Sequence, residues 1–242
     1  MIGKGKSISH GVAALEYDLA KEINGQAVAT EIARHELYGC TGAEMVQEMK
    51  PYHIDFPNVK NNCLRFEVSP SIEESATFTD ADWAELGNDF MQRMGLANHQ
   101  YIIIRHSGTE SKKEQAHLHI LANRVSLSGE LYRDNWIGKK ATEAANAIAK
   151  ERNFVQSQDI GKVNKAEIKE AMDGVLKKMQ GFDFTKFKEE LGKRGFKVRE
   201  ARASTGKLNG YYVTARSGTE YKASEIGKGY TLAHIERTQS KL

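Results

Sequence analysis

Residues 116–125 read AHLHILANRV, and the reading of this stretch decides the fold. Side chains alternate between the two faces of a β-strand. Leu118, Ile120 and Ala122 therefore form one apolar face, while His117, His119, Leu121 and Asn123 share the other. The first face is core. The second needs a chemical reason for two imidazoles at one-residue spacing, in a chain with no CxxC and no HExxH.

The segment just before it supplies a third imidazole. HQYIIIRH, residues 99–106, is strongly apolar and predicts a strand buried on both faces; the polar loop SGTESKKEQ joins it to the quoted stretch. Two strands so joined are most simply antiparallel neighbours, which brings His106 close to His117. Three histidines that leave a coordination position open form a catalytic rather than a structural metal site, with the metal as Lewis acid. An isolated HxH more often marks surface or satisfied core histidines, so His106 is what strengthens the metal reading.

The rest of the chain predicts an α+β fold, a central antiparallel sheet with flanking helices. Residues 1–8 read as a strand, and Ser9 is placed to cap a helix from His10 to Ile23. A loop follows, with 43–50 its most helix-like part. CLRFEVSPS (63–71) alternates Leu64, Phe66 and Val68 against Arg65, Glu67 and Ser69 and ends at Pro70. Thr79 caps a helix through about Met94, stopped by Gly95. Further helices are expected over 141–152, 165–180 and 186–193, then two or three short strands with glycine turns and a loose end.

Bulk properties narrow the class. A length of 242 residues, 40% hydrophobic, suits one globular unit or a domain plus a small extension. No apolar run approaches the roughly 18 residues that span a bilayer. MIGKGKSISH lacks the apolar core of a signal peptide. Cys40 and Cys63 lie far apart, which argues against a disulfide framework or a thiolate zinc site and fits a reducing cytoplasm. The net charge of +3 hides an asymmetry: residues 186–242 hold 13 Lys/Arg against 6 Asp/Glu, leaving the remainder at −4. A basic C-terminal segment is a reason to consider a polyanionic partner.

The His-hydrophobic-His core, His117-Leu118-His119, resembles the metal motif of the HUH endonucleases, and the wider pattern is similar to the relaxases that mobilise conjugative elements. The matching stretches are YIIIRHSGTESKKEQAHLHILANRV (101–125), GKSISHGVAALEYDLAKE near the N-terminus, RFEVSPS, and the late FKEELGKRGFKV and GYYVTARSGTEYKASEIG, in family order over most of the chain. Many members have an acidic residue shortly after the first histidine, in a shorter loop; here Ser107 follows directly and the nearest acids are Glu110 and Glu114. The resemblance implies a bacterial, cytoplasmic, monomeric enzyme with a divalent cation (Mn, Mg, Zn or Ni) on His106, His117 and His119. It would nick single-stranded DNA at a transfer origin, alongside accessory mobilisation proteins and a coupling protein. It implies a nuclease core over 1–180 and a basic, DNA-contacting extension of the same domain over 181–242.

Tyr17 matches the family's nucleophile position. On a helical wheel Val12, Leu15, Leu19 and Ile23 form the core stripe, and Tyr17 lies off it beside Ala13, Ala14 and Lys21. A phenol of pKa about 10 is protonated near neutrality; a cation and nearby lysines favour its ionised form. Glu67 is a proton-accepting or supporting candidate, a salt bridge being the equally good alternative. Tyr211, with Tyr212 beside it, and Arg199, Arg202, Lys207, Arg216 and Lys222 make a basic stretch with interleaved aromatics, suited to single-stranded DNA or to a solvated hairpin. By alternation Asn123 faces the metal side, where it could orient a ligand or phosphate, and Asn123 and Lys21 are counted with the candidate DNA contacts. Three rivals remain. A rolling-circle or transposition nuclease typically carries its tyrosine downstream, often as YxxK, and none is well placed after residue 125. A non-catalytic DNA-binding module and an unrelated three-histidine hydrolase complete the set.

Overall fold

The computed structural model describes residues 1–108 and 115–239; Glu110 and Glu114 lie outside the described residues. The chain divides into two compact units, Met1–Ser157 and Gln158–Leu242. The helix ending at Leu176 belongs with the second unit, because it contributes Ile168, Met172 and Val175 to its core.

In the first unit, β1 (Ile2–Ile8), β4 (Ala29–His35), β5 (Cys63–Ser69), β6 (His99–His106) and β7 (His117–Ser126) form an antiparallel sheet in the order β1-β5-β7-β6-β4; β2 (Glu22–Ile23) and β3 (Gln26–Ala27) are a separate hairpin. The strand expected from 99 and the one carrying the quoted stretch are adjacent, and β7 is central. Strand β4 lies where the sequence predicts a loop. Its residues are only half buried and its pairing to β6 shifts between Glu31 and Ala33, so no clean alternation marks it.

Each face of the sheet has its own helices. Leu64, Phe66, Val68, Ile103, Leu118, Ile120 and Ala122 pack with α4 (Asp80–Arg93) and α5 (Ile137–Glu151). Thr79 caps α4 in a reciprocal capping box with Asp82, and Gly95 ends it at φ +72°. Helix α5 presses so closely on β1 that a Cβ at Gly3 would lie 2.4 Å from the Ala141 carbonyl oxygen. On the opposite face Ile102, Ile104 and Leu121 are covered from α1 (Gly11–Leu19) and α2 (Gly42–Met49). A short α3 (Ile72–Ser75) follows β5.

Helix α1 departs from expectation. Ser9 does not cap it; His10 holds the N-cap position without a side-chain bond, and the helix ends at Leu19. The reason is Asn24-Gly25, both at positive φ (54° and 75°), which turn the chain into the β2–β3 hairpin. The buried stripe is Gly11, Ala14, Leu15 and Asp18, rather than one through Val12, which is 39% exposed. Gly11 allows the close approach: a Cβ there would meet Cys63 Sγ of β5 at 2.6 Å.

The second unit contains α6 (Ser157–Leu176), α7 (Phe184–Lys193), the antiparallel sheet β10-β9-β8 formed by β8 (Lys197–Arg202), β9 (Leu208–Thr214) and β10 (Glu220–Lys222), then α8 (Ala223–Ile226) and α9 (Leu232–Gln239). The ending expected to be loose is helical: Leu232 and Ile235 join Phe187, Leu191, Val198, Tyr211 and Val213 in the core.

Candidate metal and nucleophile site

The register of the sheet assembles the histidines. His106 pairs directly with His117 across β6 and β7, and His119 lies two residues along on the same face. The three rings offer nitrogens that all lie within 4.8 Å of one another, and the Nε2 atoms of His117 and His119 are 3.1 Å apart. Cis ligands on a metal with M–N bonds of about 2.1 Å are separated by about 3.0–3.4 Å, so that pair already has a chelating separation.

Surrounding groups fix the ring states. The Nδ1–H of His117 donates to the Gln115 carbonyl at 3.0 Å, leaving Nε2 with its lone pair. His106 donates through Nε2 to the Asp18 carbonyl at 2.7 Å. Burial, reinforced by the other two imidazoles, pushes His119 down to about 2, and burial also lowers His106. Neutral imidazole is the ligand form, so donor set and protonation both fit a divalent cation.

Asp18, one residue after Tyr17, ties α1 to this cluster and was not singled out from sequence. It is 2% exposed. Its carboxylate accepts from Arg65 Nε at 3.0 Å and Nη2 at 2.5 Å, and Oδ1 lies 3.8 Å from His119 Nδ1. Burial raises the Asp18 carboxyl, against the opposing pull of Arg65. Tyr17 itself is 57% exposed, and the Lys21 ammonium donates to its phenol oxygen at 2.7 Å while lying 4.9 Å from the ring centre.

Beside the triad, Lys4, Gly5, Lys6, Arg65, Phe66, Glu67 and His119 line a cleft of about 230 Å³. Lys4 and Lys6 of β1 stand opposite Glu67 and Arg65 of β5, and Glu67 stands opposite His119 of β7. Glu67 accepts from Lys4 Nζ at 2.9 Å, a salt bridge across β1 and β5.

Two expected site residues are built into the fold. Asn123 is fully buried: its Oδ1 faces His53 Nε2 at 2.7 Å and accepts from Val125 N at 3.0 Å, while its Nδ2 donates to Met49 O and Gln100 Oε1. All its capacity is spent, so the expectation that it orients a ligand is corrected. Tyr211 is 1% exposed, with its hydroxyl bonded to the Tyr230 carbonyl, so it offers no stacking face. Its half-buried neighbour Tyr212 turns the other way and stands between Arg199 and Lys222 in register. The Arg199 guanidinium lies 4.0 Å from the Tyr212 ring centre and is bidentate to Glu220. Arg202 bonds Glu200, Arg216 lies over Phe196, and Lys207 and Lys222 are exposed. Arg199 and Arg202 are thus paired with local carboxylates.

Comparison with solved structures finds similarity to the conjugative relaxase TrwC in complex with oriT DNA, metal-bound (11% identity, TM-score 0.36), and to its metal-free counterpart (10%, 0.38). Each comparison covers 86% of this chain and 74% of the other. Among curated proteins no match is found. Among the described residues no helix is long and apolar enough to cross a membrane. A model of the MobA/VirD2-like relaxase nuclease domain matches residues 17–154, more than half of the sequence, and the chain belongs to that relaxase family.

Proposed function

We propose that this relaxase nicks one strand of a transfer origin by attack of the Tyr17 hydroxyl on phosphorus. The phenol oxygen loses its proton and forms the new P–O bond, the bond to the 3′ oxygen breaks with that oxygen taking a proton from solvent, and the products are a 5′-phosphotyrosyl link and a free 3′-hydroxyl. Strand transfer is the reverse step. The observation that carries this reading is that Tyr17 precedes Asp18, whose carbonyl accepts from His106 and whose carboxylate lies beside His119. The nucleophile's helix is thereby anchored at the histidines.

His106, His117 and His119 would hold the cation, and what a bound cation supplies is Lewis-acid polarisation of the scissile phosphate. Mn²⁺, Zn²⁺ and Ni²⁺ suit three imidazoles, Mg²⁺ less naturally. Lys21 stabilises the negative charge that develops on the phenol oxygen as its proton leaves. Glu67 carries the one carboxylate among the residues lining the cleft and is the proposed proton acceptor. Lys4 and Lys6 give the cleft the positive character that a phosphate backbone requires. In the second unit Arg199, Tyr212, Lys207, Arg216 and Lys222 are the proposed DNA contacts. In this reading the enzyme acts as a monomer in the bacterial cytoplasm, with accessory mobilisation proteins and a coupling protein.

The test is incubation with single strands tiled across the DNA flanking the gene, with Mn²⁺ or with EDTA, scored for a covalent product on a denaturing gel. Wild type should give an adduct with one strand and with Mn²⁺ only. Tyr17→Phe should give none while still binding that strand. An adduct that persists in Tyr17→Phe moves the nucleophile elsewhere.

A further inference from the structure

We infer that Arg65 grips a backbone phosphate of the bound strand beside the histidine triad, with Asp18 as the residue that positions it. The inference rests on the reading of the site as acting on single-stranded DNA. A guanidinium presents its donors in a rigid fork and keeps its charge at any working pH. Here one edge of the fork, Nε and Nη2, is fixed on the two Asp18 oxygens. Nη2 also lies 3.4 Å from His119 Nδ1, so the group borders the triad. Among the described residues Nη1 has no hydrogen-bond partner, and Arg65 lines the cleft shared with Lys4, Lys6 and His119.

Asp18 is sealed at 2% exposure, whereas the Arg65 side chain keeps 20%. Taking this pair out of water is costly, and an apolar pair would pack as well. What an apolar pair could not provide is a rigidly aimed cationic edge at the cleft, preorganised for the anionic oxygens of a phosphodiester. Lys4 is less free for that task because Glu67 holds its ammonium.

The experiment uses the full chain. Arg65→Ala would strand the buried Asp18 carboxylate and risk unfolding, so the main variant is Arg65→Gln combined with Asp18→Asn, which removes both charges together. Arg65→Lys and Asp18→Asn alone complete the set, with thermal melting and Mn²⁺ calorimetry as controls of fold and triad. Binding of the nick-site strand is measured in EDTA across KCl concentrations, then repeated on strands carrying one neutral methylphosphonate linkage at a time.

The double variant should stay folded, bind about tenfold more weakly and lose about one unit of salt slope. Its deficit should vanish on the single strand whose neutral linkage deletes the gripped phosphate. Arg65→Lys should recover part of the affinity, and Asp18→Asn alone should lose less than the double variant. Affinity equal to wild type in the double variant, or a deficit identical on every modified strand, overturns the inference. If wild type gives no adduct with any strand, the nuclease reading fails separately, and the salt slope on oligothymidylate still decides whether Arg65 holds a phosphate.

Discussion

At the Asn123 end of the β6–β7 pair, buried polar side chains meet their needs inside the protein. Asn123 bonds His53, Gln100, Met49 and Val125; Gln100 also reaches the Glu36 carbonyl, and His99 Nδ1 faces the Asn123 carbonyl. At the His117 end, on the same pair of strands, two Nε2 atoms face each other at 3.1 Å with a third imidazole beside them. Both clusters are buried. The first is saturated by amide, imidazole and backbone partners and has nothing left for a ligand, whereas the second pairs imidazole with imidazole, a contact that a cation bound by both nitrogens would replace. Burial of polar groups therefore does not identify a site; the chemistry of what they are paired with does.

Three substitutions or conditions sharpen that contrast, taken from the largest effect to the smallest. His119→Ala should reduce metal-dependent nicking by more than about a hundredfold, beyond the loss typical of groups that merely support a ligand. Its melting temperature without metal should change little. Nicking that survives in His119→Ala would make the two ends equivalent. Asn123→Ala should do the reverse: a loss of about 3 kcal/mol of stability from stranded partners, measured by urea unfolding, with adduct yield per folded molecule unchanged. A selective loss of adduct would return Asn123 to the site.

The smallest effect is pH dependence. His99, His106 and His119 all lie below the ordinary histidine value, with burial the first cause. Below about pH 6.5 the unfolded chain therefore binds more protons than the folded one. Stability of the metal-free protein should be complete above that pH and fall as the pH drops from 6.5 towards 5. Mn²⁺ should steepen the fall, because protons compete for its ligands. Unfolding midpoints that do not move with pH in that range would contradict the burial account of these rings.

Much of this was legible in the sequence, and the exceptions are instructive. Alternation in 99–106 and 117–126 was enough to put three imidazoles on one face, because the register of two adjacent strands is local information. Alternation also separates Tyr211, which shares a face with Val213, from Tyr212. The Asn24-Gly25 dipeptide that shortens α1 is itself a local turn signal. Asp18 and Arg65 were beyond reach. They are 47 residues apart, and only packing of α1 against β5 brings them together. A polar residue on the buried stripe of a nine-residue helix carries no local sign of its partner.

The central claim is that the three histidines hold a cation beside the helix that carries Tyr17, which Asp18 ties to them. Anomalous scattering from crystals soaked in Mn²⁺ tests it directly. The account predicts one strong peak bounded by His106, His117 and His119, lost in the His119→Ala protein. No peak there, or a peak on other residues with the imidazoles still bonded to one another, would contradict it.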